Sequence, residues 1–238
     1  MTLIAGIILP DGILMMSDTR TLENNFFVHN EDARKITFIT SHTLLASAGF
    51  ETVNYTAQVL RQTLYGKKRL TRDNIRTLIQ DLYQQVNLYH HVERDDNQPL
   101  GHILLGEFDP CKNEYTLRVN TGEGHELFSK YKDYKQLKDV VLIGSNHEIR
   151  ETVKQQIQHF LDSISLNQEG APRRIAEFCH NIFKQQAAIH HGINDKLYCI
   201  HLTTRNGLPA ADTFLRDEIG KVHPLNPNED SRDIHYEN

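Results

Sequence analysis

Residue 2 of this chain is a threonine that directly follows the initiator methionine, in Met1-Thr2-Leu3-Ile4. Removal of an initiator methionine requires a small second residue, so we expect the mature chain to begin at Thr2. Such a residue carries a hydroxyl and a free α-amine, whose pKa of about 7.7–8.0 leaves an appreciable neutral fraction at physiological pH. A threonine hydroxyl activated by its own terminal amine is a known type of nucleophile. The N-terminus therefore predicts nucleophilic chemistry, on the condition that Met1 is removed.

Three further residues have types and positions suited to assist that nucleophile. The turn Pro10-Asp11-Gly12 between two apolar runs predicts a β-hairpin, whose second strand ends near the start of the first. Asp18 follows that second strand, so its carboxylate should lie close to Thr2 and pair with a cation there. Lys35 opens the next strand and is the cation that we expect. Gly49 lies at a strand-to-helix junction, where a backbone N–H can face an oxyanion.

Thr2, Asp18 and Lys35 also have purely structural interpretations. Thr2 can be an ordinary residue of the first strand, and Asp18-Thr19-Arg20 can be a solvated turn. Lys35 can be an edge-strand lysine that opposes association of sheet edges. Gly144-Ser145, which follows a short buried strand, can serve as the N-cap of the helix behind it. These residues occur together, at positions from which Asp18, Lys35 and Gly49 can all lie near Thr2, and this favours the catalytic interpretation.

The elements that must position these residues occur in the order strands, two helices, strands, two helices, strands. Nearly continuous apolar strands predict sheets covered on both faces, and apolar residues at helical spacing predict amphipathic helices. We therefore predict an α+β fold, a four-layer αββα sandwich of two antiparallel sheets, as a single domain over 1–220 with a polar C-terminal tail over 221–238. The predicted strands cover 3–9, 12–17, 35–39, 43–48, 102–108, 114–119, 140–143, 196–203 and 211–215, and the predicted helices cover 53–64, 73–89, 149–160 and 175–183.

The composition argues against several function classes. The 238 residues carry a formal net charge of -5, which is unlike a nucleic-acid-binding protein. No apolar run approaches the ~20 residues that span a bilayer, and no signal peptide is recognisable, so we expect a cytoplasmic protein without a membrane partner. The three cysteines and the histidines fit no metal or disulfide spacing, so we expect no metal and no cofactor. Cys179 and Cys199 are predicted to be small core residues.

With these motifs, the chain is similar to the proteasome β-subunit superfamily of N-terminal-nucleophile hydrolases, which includes the bacterial HslV peptidase and the Anbu proteins. Mature chains of this superfamily begin with a catalytic Thr. An acid follows at the end of the second strand, then a Lys at the third strand and an Ala-Gly segment before the first helix. The resemblance covers roughly residues 2–215 and is strongest in about the first 50. The matching residues here are Thr2, Asp18 with Arg20, Lys35, Ala48-Gly49 and, after a mid-chain strand, Gly144-Ser145.

The resemblance implies a threonine-type peptidase with an N-terminal-nucleophile hydrolase fold. Thr2 Oγ would attack a peptide carbonyl while its own α-amine, directly or through a water, takes the proton. Lys35 would stabilise the developing alkoxide, and Asp18 would hold Lys35 charged and aligned. These three residues form the predicted catalytic centre.

The resemblance also assigns roles around this centre. The Gly49 N–H would donate to the oxyanion, and Ser145 would hydrogen-bond the terminal amine. Thr21, beside the cleft, would bind the substrate backbone, and Arg20 is assigned with it to substrate binding.

An assembly follows from the same resemblance. A homo-oligomer, either a ring or a helical stack, would enclose the catalytic sites and admit peptide or unfolded-protein substrates, with or without an ATP-dependent unfoldase. Because no propeptide precedes Thr2 in this sequence, we expect methionine removal to be the only activation step.

One segment departs from the superfamily's pattern. Many relatives carry an Asp and a Ser near the last helix-to-strand connection, whereas residues 187–192 contain no carboxylate. Either His190 takes over this support of the amine, or the supporting network is thinner. Two other hypotheses stay open, and the thinner network favours the first of them. One is a scaffold protein of the same fold with an inactive site, and the other is an amidase or acyl-transfer enzyme that acts on a small amide.

Overall fold

The computed structural model describes residues 2–23, 26–67, 70–93, 99–123, 126–227 and 231–236, except for the side chains of residues 91–93. Met1 lies outside these described residues. Within them the chain has four helices and thirteen strands, and all of the paired strands run antiparallel. The predicted α+β class with antiparallel sheets is confirmed.

The helices and strands agree with the sequence patterns and extend most of them by a few residues. No helix in the described part of the chain combines the length and apolar composition needed to cross a membrane. The helices are α1 (Glu51–Leu64), α2 (Arg72–Glu93), α3 (His147–Ser163) and α4 (Ala171–Ile189). The strands are β1 (Leu3–Leu9), β2 (Gly12–Ser17), β3 (Thr21–Glu23), β4 (Phe27–Asn30), β5 (Ile36–Thr40), β6 (Thr43–Gly49), β7 (Gly101–Asp109), β8 (Glu114–Thr121), β9 (Lys132–Tyr134), β10 (Val140–Gly144), β11 (Leu197–Arg205), β12 (Leu208–Arg216) and β13 (Val222–Pro224).

Two sheets contain most of the strands. A six-stranded sheet has the order β10-β1-β2-β11-β12-β13, and a five-stranded sheet has the order β5-β6-β7-β8-β9. The predicted hairpins β1–β2 and β5–β6 are confirmed. β3 and β4 form a separate two-stranded ribbon. The sequence patterns do not predict this ribbon, β9 or β13, because elements of three or four residues are too short for a periodicity to be recognised.

Three apolar clusters hold the sheets and helices together. The first contains residues of the six-stranded sheet, α3 and α4; the second contains residues of both sheets; the third contains residues of the five-stranded sheet, α1 and α2. Leu3 and Ala5 belong to the first cluster, whereas Ile4 and Ile8 belong to the second. Because successive side chains of a strand point to opposite faces, both faces of β1 are buried, which explains its continuous apolar run.

The two predicted core cysteines lie in the first of these clusters. Cys179 on α4 and Cys199 on β11 are buried there, as predicted, while Cys111 is exposed. Burial raises the pKa of both buried thiols, because the thiolate would be poorly solvated in this environment. We therefore assign Cys179 and Cys199 to packing and not to chemistry.

Part of the polar C-terminal tail returns to the segment before β5. Ala33 and Asp233 form an isolated antiparallel bridge, and the Arg34 N–H donates to the Arg232 carbonyl at 2.8 Å. Residues 231–236 therefore flank the backbone that leads into the site described below. Two further hydrogen bonds fix this segment: Ile234 N to Asp32 O at 2.7 Å, and Lys196 Nζ to Tyr236 Oη at 2.6 Å.

Gly49 and Gly101 face each other where β6 pairs with β7, and the two backbones lie too close for a side chain. Their φ values, +144° and +142°, are ones that L side chains rarely adopt. A Cβ added to Gly101 would lie 2.2 Å from the Ala48 carbonyl oxygen, a backbone atom that cannot rotate away. Only glycine fits at this close approach.

We expect Gly101→Ala to lower the free energy of unfolding by about 3 kcal/mol, because backbone strain adds to the contact with Ala48. Gly66→Ala is the matched control, since Gly66 also has a positive φ, +80°, but has nothing within 4 Å of the added Cβ. That control should cost about 1 kcal/mol. Urea unfolding followed by circular dichroism measures both values. Equal costs for the two variants would show that the close approach carries no penalty of its own.

Candidate active site

Thr2, Asp18 and Lys35, which we call the Thr2 cluster, meet at one end of the β1–β2 hairpin. Lys35 Nζ donates hydrogen bonds to Thr2 Oγ1 at 3.0 Å and to Asp18 Oδ2 at 2.8 Å. The Lys35 and Asp18 side chains are 1% and 0% exposed, and Thr2 is half-buried. The structure therefore brings the hydroxyl, the ammonium and the carboxylate into direct contact.

The register of the β1–β2 hairpin places Asp18 beside the N-terminus. Ile4 pairs with Ser17, so Asp18 lies just beyond the last pair, next to Leu3. The Asp18 N–H donates to the Leu3 carbonyl at 3.2 Å, and Asp18 Oδ1 accepts from the Leu3 N–H at 2.9 Å. The carboxylate thus takes the place of a ladder acceptor for the residue after Thr2. The solvated-turn interpretation of Asp18 is wrong, because its side chain is fully buried.

Lys35 directly precedes β5, and its side chain turns into the protein. Although β5 is an edge strand, only 3% of Lys35 is exposed, so its interpretation as a solvent-facing edge lysine is wrong. Burial lowers the pKa of Lys35 below its ordinary range, and the Asp18 carboxylate partly opposes that change. Removing both charges from water costs free energy that largely offsets the attraction between them, so the pair contributes little to the free energy of unfolding. What it does provide is a positive charge held against Thr2 Oγ1.

β10 brings Ser145 to the same end of the six-stranded sheet. Leu3 pairs with Gly144, the last residue of β10, so Ser145 directly follows the residue that lies beside the N-terminus. A Cβ on Gly144 would lie 2.1 Å from the Thr2 carbonyl oxygen. Ser145 Oγ is buried and has no hydrogen-bond partner among the described residues. The N-cap interpretation of Gly144-Ser145 is wrong, because Asn146 is the residue that caps α3.

A polar cavity with a volume of about 200 Å³ opens beside Thr2. The resemblance assigns Gly49 to the oxyanion and Thr21 and Arg20 to substrate binding, and all three line this cavity. Thr21 Oγ1 is buried and, within the described ranges, has no hydrogen-bond partner. The cavity therefore presents hydrogen-bonding groups next to the Thr2 hydroxyl. Its other lining residues are Leu22, Glu23, His29, Glu51 and Asn54.

A polar network anchors the residues after β2 to the α4–β11 connection. Asn194 Oδ1 accepts from the Thr19 N–H at 2.9 Å, and Asn194 Nδ2 donates to Glu31 Oε2 at 2.8 Å. Arg20 pairs with Glu31 at 2.9 Å and donates to the His191 carbonyl at 2.6 Å. Burial alone would raise the pKa of Glu31, but the hydrogen bonds from Arg20 and Asn194 hold it below its ordinary range. Arg20 is therefore held in position by this network at the edge of the cavity.

Asn194 and Glu31 are the residues of this site that sequence reasoning missed. No motif links them. The available signal was the absence of a carboxylate from residues 187–192, which run from the end of α4 into the α4–β11 connection that contains Asn194. His190 ends α4, with its N–H donating to the Gln186 carbonyl at 2.8 Å. Among the residues that the structure describes, its ring forms no hydrogen bond with the Thr2 cluster. Support for this end of β2 comes from Asn194, a few residues beyond His190.

We expect Asn194→Ala to lower the free energy of unfolding by about 1–3 kcal/mol, because the buried Thr19 N–H loses its acceptor. The matched control is Asn181→Ala on α4, where the side chain is exposed and alanine has the higher helix propensity, so stability should not fall. Thermal and urea unfolding check the difference. If both substitutions change stability equally, the network around Asn194 does not hold this segment.

Comparison with protein-family models finds no match for this chain, and no curated protein matches it significantly. Over the described ranges, no group of three or more His, Cys, Asp or Glu side chains is arranged to hold a metal ion. The geometry of the Thr2 cluster and of the adjoining cavity therefore carries the functional assignment.

Proposed function

We propose that this chain is a threonine-type peptidase in which Thr2 is the N-terminal nucleophile after removal of Met1. The observation that carries the proposal is the 3.0 Å hydrogen bond from the buried Lys35 ammonium to Thr2 Oγ1. A buried lysine paired with a carboxylate and directed at a hydroxyl is a costly arrangement for stability alone. Such a charge favours the deprotonated form of the hydroxyl, which is the form that attacks a carbonyl.

The proposed reaction begins when Thr2 Oγ1 attacks the substrate carbonyl carbon and its proton moves to the Thr2 α-amine. Because an ammonium has only donors, Lys35 binds a lone pair of Oγ1 and leaves the hydroxyl proton free to reach the amine. Asp18 keeps Lys35 charged and aligned. The amine then passes the proton to the leaving nitrogen, which leaves an ester between Thr2 and the acyl part of the substrate. Attack by water on that ester regenerates the free hydroxyl and releases the acid.

The remaining predicted residues have supporting roles in this proposal. The Gly49 N–H donates to the oxyanion, a type of contact worth about 2.7–4 kcal/mol in other hydrolases. Ser145 Oγ, which has no partner within the described chain, binds the terminal amine. Thr21 and Arg20 hold the substrate in the cavity that both of them line.

We also propose that the fold is the four-layer αββα sandwich of N-terminal-nucleophile hydrolases. The three apolar clusters support this arrangement. They link α3 and α4 to the six-stranded sheet, that sheet to the five-stranded sheet, and the five-stranded sheet to α1 and α2. In such a sandwich each sheet is covered on both faces, which suits the continuous apolar runs of its strands.

The proposal includes a homo-oligomer, as a ring or a helical stack, that takes peptides or unfolded proteins with or without an unfoldase. Phe26 and Phe27, at the β3–β4 ribbon beside the cavity, are 75% and 71% exposed. Neighbouring exposed aromatic side chains favour an association surface. A partner chain bound at the β3–β4 ribbon would also cover part of the cavity opening.

The size of the cavity favours a second candidate function, an amidase that acts on a small amide. A volume of about 200 Å³ is below the range of roughly 300–1,000 Å³ that is usual for drug-sized ligands. Such a space takes one substrate side chain of a peptide, or the whole of a small amide. The same Thr2 cluster would perform the chemistry in either case.

The test combines intact-mass measurement of the purified protein with a panel of fluorogenic peptides and small amides. We expect a mature chain that begins at Thr2 and releases fluorophore from the peptides. Hydrolysis of small amides alone would favour the amidase. A free Thr2 with no turnover of either class would contradict both enzymes and leave the scaffold hypothesis. A chain that retains Met1 has no free Thr2 amine and would contradict the proposed mechanism.

A further inference from the structure

We propose that Arg232, carried back by the C-terminal tail, sets the charge of the cavity beside Thr2 and thereby selects the substrate side chains that it accepts. The identity of the occupant as a substrate side chain rests on the proposed function. The effect of Arg232 on the charge of the cavity wall does not.

The tail holds the Arg232 guanidinium against the start of α1 through several contacts. Its Nη2 donates to Glu51 Oε1 at 2.8 Å, and its Nη1 donates to Tyr55 Oη at 2.7 Å. The guanidinium carbon lies 4.1 Å from the centre of the Tyr55 ring, within the range of a cation–π contact. The backbone is fixed as well, because the Arg232 carbonyl accepts from Arg34 N. Arg232 is thus placed at this position by both its backbone and its side chain.

Glu51 connects Arg232 to the cavity, because it both pairs with Arg232 and lines the cavity wall. The hydrogen bond from Arg232 lowers the pKa of Glu51, so this carboxylate is ionised at neutral pH. Arg20, the cation in the cavity lining, is already paired with Glu31. Within the described residues, Glu23 is the lining carboxylate that has no ion pair. With the Arg20–Glu31 and Arg232–Glu51 pairs intact, Glu23 therefore makes the wall slightly acidic.

This charge distribution predicts that the cavity takes uncharged and cationic side chains and disfavours anionic ones. Without Arg232, Glu51 would add a full negative charge to the wall. Without the Glu51 carboxylate, Arg232 would instead leave a positive charge near it. The pair is 43% and 51% exposed, so it contributes little to stability. Replacing one member of the pair therefore changes the charge of the wall with little effect on folding.

The first measurement uses two probes of nearly equal shape, benzamidine, which is cationic, and benzamide, which is neutral. Their dissociation constants are determined by NMR titration, and the benzamide-to-benzamidine ratio of those constants is compared between variants. We expect Arg232→Gln to raise this ratio about threefold to tenfold and Glu51→Gln to lower it by a similar factor, because a unit charge is gained or lost near the probe. High salt should reduce both changes.

The double variant Arg232→Gln/Glu51→Gln removes one positive and one negative charge and so restores the net charge of the wild type, and its ratio should return to within about twofold of the wild-type ratio. The matched control is Tyr236→Phe, which removes a hydrogen bond of the tail without changing a charge at the cavity. It should leave the ratio unchanged. A purely structural role of Arg232 would weaken both probes equally and would not be corrected by the second substitution. Unchanged ratios in the single variants, or no binding of either probe to any of the proteins, would overturn the proposal.

The second measurement repeats the comparison with fluorogenic amides that carry Arg, Leu or Asp before the scissile bond. Arg232→Gln should raise kcat/KM for the Arg substrate relative to the Leu substrate by about threefold to tenfold. A ratio of kcat/KM that does not move, in an enzyme that turns over these substrates, contradicts the role of Arg232 and leaves the peptidase intact. Charge-dependent probe binding without any turnover contradicts the peptidase and leaves the role of Arg232 intact.

Discussion

Thr2→Ala is expected to abolish amide hydrolysis, with kcat/KM falling by at least about 10⁴-fold, because no other group of the Thr2 cluster can form the ester intermediate. Alanine is also a small second residue, so removal of Met1 should be unaffected. Lys35 keeps its ion pair with Asp18, which is fully buried. The fold should therefore survive, with a change in the free energy of unfolding of no more than about 1 kcal/mol.

Two controls isolate the chemistry of Thr2. Thr2→Ser keeps a hydroxyl on the first residue and should retain measurable turnover. A form with an uncleavable extension before Thr2 keeps the hydroxyl but converts the amine to an amide, so it should be as inactive as Thr2→Ala. Rates are measured on the most active fluorogenic substrate, and intact mass verifies each N-terminus. Full activity of Thr2→Ala would show that the nucleophile lies elsewhere.

Lys35→Met is expected to lower the free energy of unfolding by about 3–5 kcal/mol, because it leaves the buried Asp18 carboxylate without its counter-charge. Asp18→Asn should also be strongly destabilising, since it leaves a buried ammonium. The double variant Lys35→Met/Asp18→Asn removes both charges and should be more stable than either single variant. Urea unfolding of the four proteins gives the coupling between the two residues. Costs that simply add would contradict a directly coupled pair.

Activity separates the two roles of this pair. All three variants should lose hydrolysis, because the positive charge against Thr2 Oγ1 is absent or misplaced, including the double variant in which stability recovers. Recovery of stability without recovery of activity would distinguish a catalytic charge from a structural one. Recovery of both would contradict the assigned role of Lys35.

The pH dependence of Asp18→Asn follows from the same pair. Burial already lowers the pKa of Lys35 in the wild type, and removing Asp18 removes the main influence that opposes this. An unfolded lysine holds its proton up to about pH 10.4, so the unfolded state binds more protons than the folded state between the lowered pKa and that value. Stability of Asp18→Asn should therefore rise with pH across this window, relative to the double variant.

Local sequence patterns were sufficient for the longer strands and for the core of the candidate site. The turn at 10–12 fixes the register of β1 against β2, and that register alone brings Asp18 to the residue after Thr2. Lys35 and Gly49 follow within the next hairpin, where chain connectivity limits how far they can be from the first. Apolar periodicity predicted all four helices, because each has one face that packs on a sheet.

The same patterns failed where position depends on contacts between distant segments. From the sequence, Lys35 and Asp18 are charged residues next to strands. That position is compatible with a solvated surface as well as with a buried ion pair. The β3–β4 ribbon and the Asn194–Glu31 hydrogen bond have no periodicity or spacing that a sequence could reveal. The polar tail is a similar case, because its composition is that of a surface segment and its contacts with Asp32 and Arg34 are largely backbone hydrogen bonds.

By itself, the sequence determined the α+β class, the antiparallel hairpins and the neighbourhood of Thr2, Asp18 and Lys35, since turn chemistry and alternating side chains act over short stretches of chain. Only the tertiary structure decided that the ion pair is buried against the Thr2 hydroxyl. It also decided that β10 brings Gly144-Ser145 to the end of β1 next to Thr2 and that Arg232 pairs with Glu51 of the cavity wall. These three outcomes depend on pairings between segments far apart in sequence, whose free energies are summed over the whole fold and leave no local pattern.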